Sequence, residues 1–183
     1  MTQTLVGHQA VPRSRPAGRM LWYSLRLVPI GIQTMADAII DRPDDATRRW
    51  QRLRPELAGR PARGLTVFGA GLASAVMGLM SWFLLLLFVT AIVRGPFYGL
   101  VEHGPYGAGT WGGPTRAGAW AAHAAIALPI IVLIPFALRG ISLLHGALLR
   151  RVYGLSAAKW VLPATILFCA GGMWFFWSWI QQL

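Results

Sequence analysis

Four histidines and one cysteine are the residues of this chain suited to metal, redox or acid–base chemistry: His8, His103, His123, His145 and Cys169. A single cysteine excludes an intramolecular disulfide framework and a cysteine zinc cluster. His123 and His145 flank a long apolar stretch and stand 22 positions apart. On one helix that is about 33 Å, too far to share a metal ion or a haem. Two haems would each need another axial ligand, and none is evident, so a redox subunit is the weakest reading and a structural role the expected one. Glu102 and His103 form an acid–histidine pair between two apolar stretches. A histidine titrating near about 6.5 there could report pH, although chance adjacency in a solvated loop is the plainer explanation and the preferred one. No phosphate-binding glycine loop, no H-E-x-x-H and no nucleophile elbow occurs. The expectation is a protein that is not an enzyme and carries no metal or cofactor.

What must hold these residues is a set of membrane helices. The chain has 183 residues, 55% apolar and 13% charged, with 17 Lys and Arg against 6 Asp and Glu. That excludes a disordered chain and is very apolar for a soluble domain. Residues 64–93, 117–138 and 160–183 carry no charged side chain, and each is long enough to span a bilayer as a helix. The expected spans are about 65–93, 117–138 and 160–181. Eleven of the arginines precede residue 64, and Arg139, Arg150, Arg151 and Lys159 follow the second stretch, whereas residues 94–116 hold only Arg94 and Arg116. Cytoplasmic flanks collect cations. An all-α integral membrane protein is therefore expected, multi-pass in the inner (plasma) membrane of a bacterium, with its N-terminus cytoplasmic and its C-terminus outside. No secretory signal is read at the start. Trp174, Phe175, Phe176, Trp177 and Trp179 would form an aromatic belt at the exit.

The region before the first span divides in two. Residues 1–19 read as a disordered basic N-terminus. Residues 20–63 read as a cytoplasmic amphipathic and arginine-rich segment. Leu21, Leu25, Val28, Ile32, Met35 and Ile39 make one helical stripe, which favours a helix lying in the membrane interface. The alternative is a fourth span, which would bring Arg26 and Asp37 into lipid. Asp41-Arg42-Pro43-Asp44-Asp45 reads as a turn and helix start. After it, Arg48, Arg49, Arg52, Arg54, Arg60 and Arg63 are candidate contacts for anionic lipid headgroups, with topology determination alone as the equal alternative. Nucleic acid is not an expected partner, because these arginines sit at the membrane edge.

Inside the spans, Ala70, Ser74 and Gly78 recur every fourth residue, the spacing of a close helix-packing face. Pro129 and Pro135 fall within the second span, and Pro163 falls in the first turn of the third. The absence of charged side chains argues against an ion-coupled transporter. The loop from 95 to 116 has seven Gly and three Pro. With Glu102, His103, Tyr106, Trp111 and Arg116 it is a candidate contact surface for a ligand or partner, or a connector anchored by aromatics.

The stretch Trp111-Gly112-Gly113-Pro114-Thr115-Arg116-Ala117-Gly118-Ala119-Trp120-Ala121-Ala122-His123, followed by Arg139-Gly140, His145, Leu148-Leu149-Arg150-Arg151 and Gly154, resembles the actinobacterial sensor transmembrane domain family. The resemblance covers about residues 65–154. It implies paired spans with an outer turn and a role in signalling, in a domain found in sensor histidine kinases and as stand-alone membrane proteins. The family usually has two helical hairpins. Here residues 20–63 are polar and amphipathic where the first should be, a span at 160–183 is added, and no kinase core follows. Two functions are expected from different classes. One is a membrane sensor or regulatory module acting through a partner protein. The other is a structural accessory subunit of a larger bacterial membrane complex, such as a respiratory enzyme or an ABC transporter. Either would take another membrane protein, or a second copy of itself, as partner.

Overall fold

The computed structural model describes residues 16–60 and 64–182. Most of the N-terminal segment expected to be disordered, and Arg63, lie outside the described residues. From Pro16 onward the chain is already helical. Six α-helices follow in order: α1 (Pro16–Ile39), α2 (Pro43–Leu53), α3 (Gly64–Arg94), α4 (Tyr98–Val101), α5 (Arg116–Val152) and α6 (Val161–Ile180), with a 3-10 turn at Pro55–Leu57 after α2. Among the described residues there is no strand. Helices α3, α5 and α6 are long and apolar enough to cross a membrane, which makes this a multi-pass membrane protein.

The second span does not end at Leu138. Helix α5 runs unbroken for 37 residues, through Pro129 and Pro135, about 55 Å at the helical rise. The expected 139–159 loop is therefore mostly helix, and Arg139, Arg150 and Arg151 project from it. Thr115 caps α5, its hydroxyl accepting from the Gly118 amide at 3.1 Å.

Helix α1 also departs from expectation. It lies lengthwise and antiparallel along α3: Gly31 sits against Gly71 and Ala75, and Val28 against Gly78. A helix lying flat in the membrane plane would instead cross a spanning helix steeply. The stripe read from the spacing is only in part the face that packs. Leu21, Leu25, Ile32 and Ile39 are exposed, whereas Val28 is buried with Ser24, Leu27, Gly31 and Thr34, and Met35 lies against Gly71. Small and hydroxylated residues pack inward while leucine and isoleucine face out, as in helices surrounded by lipid. The hydroxyls of Thr34, Ser74 and Ser81 bond to carbonyls one turn back in their own helices, at 2.7, 2.6 and 2.9 Å.

Pro29 has no N–H to offer the Leu25 carbonyl. The Trp82 indole N–H of α3 donates to that carbonyl at 3.2 Å. The proline's missing bond is thus made by the neighbouring helix, as a backbone carbonyl facing hydrocarbon requires. Trp82→Phe should leave the carbonyl unpaired and cost about 1 kcal/mol, seen as a lower thermal midpoint in detergent. An unchanged midpoint would mean the bond contributes nothing.

Helix α2 opens as the sequence indicates, with Pro43 in its first turn and Asp44 and Asp45 at its positive end. Its inner face is Ala46, Thr47 and Trp50. Leu27, Trp50 and Leu57 share one core with Met77, Ile141, Leu149 and Tyr153. The boundary expected at 63/64 is therefore not a packing boundary: the arginine-rich segment folds onto the membrane helices. On the far side of α3, Gly172 of α6 meets Val76 and Met80, and Phe83 packs against Phe175, Phe176 and Trp179 with ring centroids 5.0, 6.2 and 5.9 Å away. Part of the expected aromatic belt thus packs on α3, with Phe175 and Trp179 still 37% and 42% exposed and Trp174 and Trp177 more so.

Candidate functional site

Among the described residues, the ring of His145 in α5 draws contacts from α1, α2 and α3, and it is fully buried. Its Nδ1 lies 2.6 Å from the Tyr23 hydroxyl of α1. Its Nε2 lies 2.7 Å from Ser74 Oγ of α3. Trp50 of α2 covers it, with ring centroids 5.2 Å apart. Arg54, just past α2, donates from Nε to the Tyr23 oxygen at 3.3 Å, and its guanidinium also lies 4.8 Å from the Tyr23 ring centre. Gly146 leaves room for this, because a Cβ there would meet Arg54 Nη2 at 2.6 Å.

The donors set a direction. Ser74 donates its hydroxyl proton to the Ala70 carbonyl at 2.6 Å, so its oxygen accepts from His145 Nε2–H. That assigns the neutral Nε2–H tautomer and leaves Nδ1 to accept from the Tyr23 hydroxyl. The Tyr23 oxygen in turn accepts from Arg54. One chain therefore runs Arg54, Tyr23, His145, Ser74, Ala70, and every bond in it has a donor and an acceptor. It ends on a main-chain carbonyl, so it is a tie between helices and not a proton path to a substrate. Burial disfavours the Arg54 charge, but the Tyr23 oxygen and the Glu56 carboxylate at 3.4 Å outweigh it, and its pKa is raised above the ordinary value.

The arginines proposed from the sequence divide. Arg49 is tied to Asp37 of α1 at 2.6 Å, with side chains 27% and 15% exposed. Arg48 pairs with Asp45 on the surface, a contact of small energetic weight. Arg54 is taken up by the histidine chain. Arg52 and Arg60 are exposed. Of this set, Arg48, Arg52 and Arg60 are thus open to lipid headgroups, while Arg49 and Arg54 serve internal contacts.

The loop between α3 and α5 is mostly occupied with its own structure. Arg116 donates from Nε at 2.9 Å, and also from Nη2, to the Gly99 carbonyl. Trp120 Nε1 donates to Pro96 O at 2.8 Å, and Tyr106 donates its hydroxyl to Glu102 O at 2.8 Å. Tyr98 stacks on His123 at 3.8 Å and 9°, and His123 Nδ1 donates to Ala119 O at 2.8 Å. Of the five loop candidates, Arg116 and Tyr106 are therefore internal braces. His103 and Trp111 are exposed, Trp111 by 64%, and Glu102 is half-buried. The aromatic-anchored connector describes this loop better than an open ligand surface does. Arg116→Gln should free the Gly99 carbonyl at a cost of about 1 kcal/mol and speed amide exchange over 98–101. Unchanged exchange would show that Arg116 is not the brace.

The packing residues fall where the spacing puts them: Ala70, Ser74 and Gly78 are all buried, although Ser74 faces His145 and Gly78 faces Val28. Among the described residues no group of three metal-ligating side chains forms. Comparison of this chain with family models, with curated proteins and with solved structures finds no match. The site must therefore be argued from its own geometry. Sequence reading treats His145, Ser74 and Arg54 as three unrelated features and leaves Tyr23 unread. Their partners stand 122, 71 and 31 positions away, beyond any local pattern.

Proposed function

We propose that this chain is a non-enzymatic membrane sensor or regulatory module that acts through a partner protein. The observation that carries this is the chain from Arg54 through Tyr23 and His145 to Ser74. It fastens the arginine-rich segment to three membrane helices by a few directional bonds. A shift of α1 or α5 against α3 breaks those bonds and releases the segment, which gives the module two distinct states for a partner to read. The resemblance of residues 65–154 to actinobacterial sensor domains points the same way. In this reading residues 40–60 and 153–160 face the cytoplasm and 95–115 face outward, in the plasma membrane. Helix α1 is a fourth membrane-embedded helix, with its N-terminal end directed toward the outer leaflet and not, as its charges alone suggest, held in the cytoplasm.

A second reading rests on a different observation. An apolar groove of about 390 Å³ opens between α3 and α6, walled by Ala73, Val76, Ile166, Cys169 and Met173. Such a face suits a structural accessory subunit packed against a larger membrane complex. Extraction in mild detergent followed by native mass measurement separates the two. The regulatory reading predicts a monomer or homodimer, or a substoichiometric partner. A stable stoichiometric complex with a larger membrane protein would replace it with the accessory reading.

A further inference from the structure

Beside the histidine chain, between α1, the end of α2 and α5, lies a pocket of about 510 Å³ whose walls include Arg26, Arg54 and Arg139. Its size is ordinary for a small-molecule site. Glu56 is the single acidic residue in its lining, so the lining carries a net charge of 3 − 1 = +2. Arg54 is already committed to Tyr23 and Glu56. Arg26 and Arg139 form no ion pair among the described residues. The Arg26 guanidinium carbon lies over the Trp22 ring, 4.0 Å from its centre. A contact with the ring takes up no N–H donor in an ion pair, so the guanidinium fork is open to an oxyanion. Two apolar side chains of the rim face outward, Trp22 57% and Leu143 64% exposed.

Cationic forks beside exposed apolar surface match a molecule with an anionic head and an apolar tail. We infer that this pocket binds the phosphate headgroup of an anionic phospholipid, held by Arg26 and Arg139, with its acyl chain along Trp22 and Leu143. A free phosphate offers the same oxygens but has no use for the apolar rim, which is why the lipid is the occupant proposed. The site differs from the arginines of α2, because its two unpaired cations come from α1 and α5. Its binding can be read whether the module signals or serves as a subunit, so the inference does not depend on the regulatory reading.

The test is native mass spectrometry of the detergent-solubilised full chain, titrated with phosphatidylglycerol, phosphatidylcholine or inorganic phosphate. One phosphatidylglycerol should bind per chain, about tenfold or more tightly than phosphatidylcholine, since each charge-assisted fork contributes on that scale. Arg139→Gln, at an exposed position with no ion pair to lose, should remove about tenfold of that affinity. Arg26→Lys, which keeps the charge but not the fork, should remove part of it. Arg48→Gln with Arg52→Gln should leave it unchanged. The inference is overturned by equal binding of both lipids, by a preference that survives Arg139→Gln, by a preference lost only with Arg48 and Arg52, or by inorganic phosphate displacing the lipid at comparable concentration.

Discussion

Gly31→Val is expected to separate α1 from α3 and to be the most damaging single substitution in the membrane region. A Cβ at Gly31 would fall 2.6 Å from the Ala75 nitrogen and 2.7 Å from the Gly71 oxygen. Both are backbone atoms of a helix, so no side chain can swing aside. The partner residue is equally tight: a Cβ at Gly71 would meet the Gly31 oxygen and the Met35 nitrogen at 2.9 Å. Forcing such a contact costs about 3 kcal/mol, or roughly a 10 °C fall in the thermal midpoint for a chain of this size. Helices in lipid associate largely by close packing, so the remaining ties of α1, such as Tyr23 to His145 and Asp37 to Arg49, would bear the load. Gly140→Ala is the control, since nothing lies within 4 Å of a Cβ there, and it should be close to neutral. Equal effects at the two positions would contradict the close approach.

His145→Leu is the second large effect. Leucine fills most of the imidazole volume but offers the Tyr23 hydroxyl no acceptor, while Ser74 keeps its bond to Ala70. An unpaired buried hydroxyl and the loss of two hydrogen bonds come to about 2–4 kcal/mol. Tyr23→Phe alone should cost about 1 kcal/mol. The double variant should cost less than the sum of the two, because the Tyr23 hydroxyl is then no longer there to be stranded. Loosening of Tyr23, which holds Arg54, should also loosen the end of α2, so trypsin should cut after Arg52 faster in His145→Leu than in the parent chain. Additive stabilities and an unchanged cleavage rate would show that the chain of bonds does not tie the segment down.

Much of the fold is legible in the sequence because lipid imposes a local rule. A span needs a long uncharged stretch, and residues 64–93, 117–138 and 160–181 supply it without reference to any contact. The small-residue face of α3 and the opening of α2 at Pro43 are likewise local. The errors come where a local signal was given a partner it does not have. The stripe of Leu21, Leu25, Val28, Ile32, Met35 and Ile39 reads as a face to be buried in protein or interface, yet only Val28 and Met35 of it pack on α3 while Leu21, Leu25, Ile32 and Ile39 face out. Hydrophobic periodicity reports which face is apolar; in a membrane that face is the outside. Helix α5 outruns its apolar stretch because Arg139, Arg150 and Arg151 are good helix formers. The candidate site was legible only as separate residues. His145, Tyr23, Ser74 and Arg54 come from four segments, and the packing of both α1 and α5 on α3 brings the first three into one place.

The account rests on His145 as an internal tie, and nitrogen NMR of the histidine-labelled protein in detergent tests that most directly. With the His145 signals assigned by comparison with His145→Gln, the neutral Nε2–H tautomer should appear, and Tyr23→Phe should move the Nδ1 resonance alone. An Nδ1–H tautomer, or a resonance indifferent to Tyr23→Phe, would contradict the chain from Arg54 to Ser74 and with it the proposed coupling of the arginine-rich segment to the membrane helices.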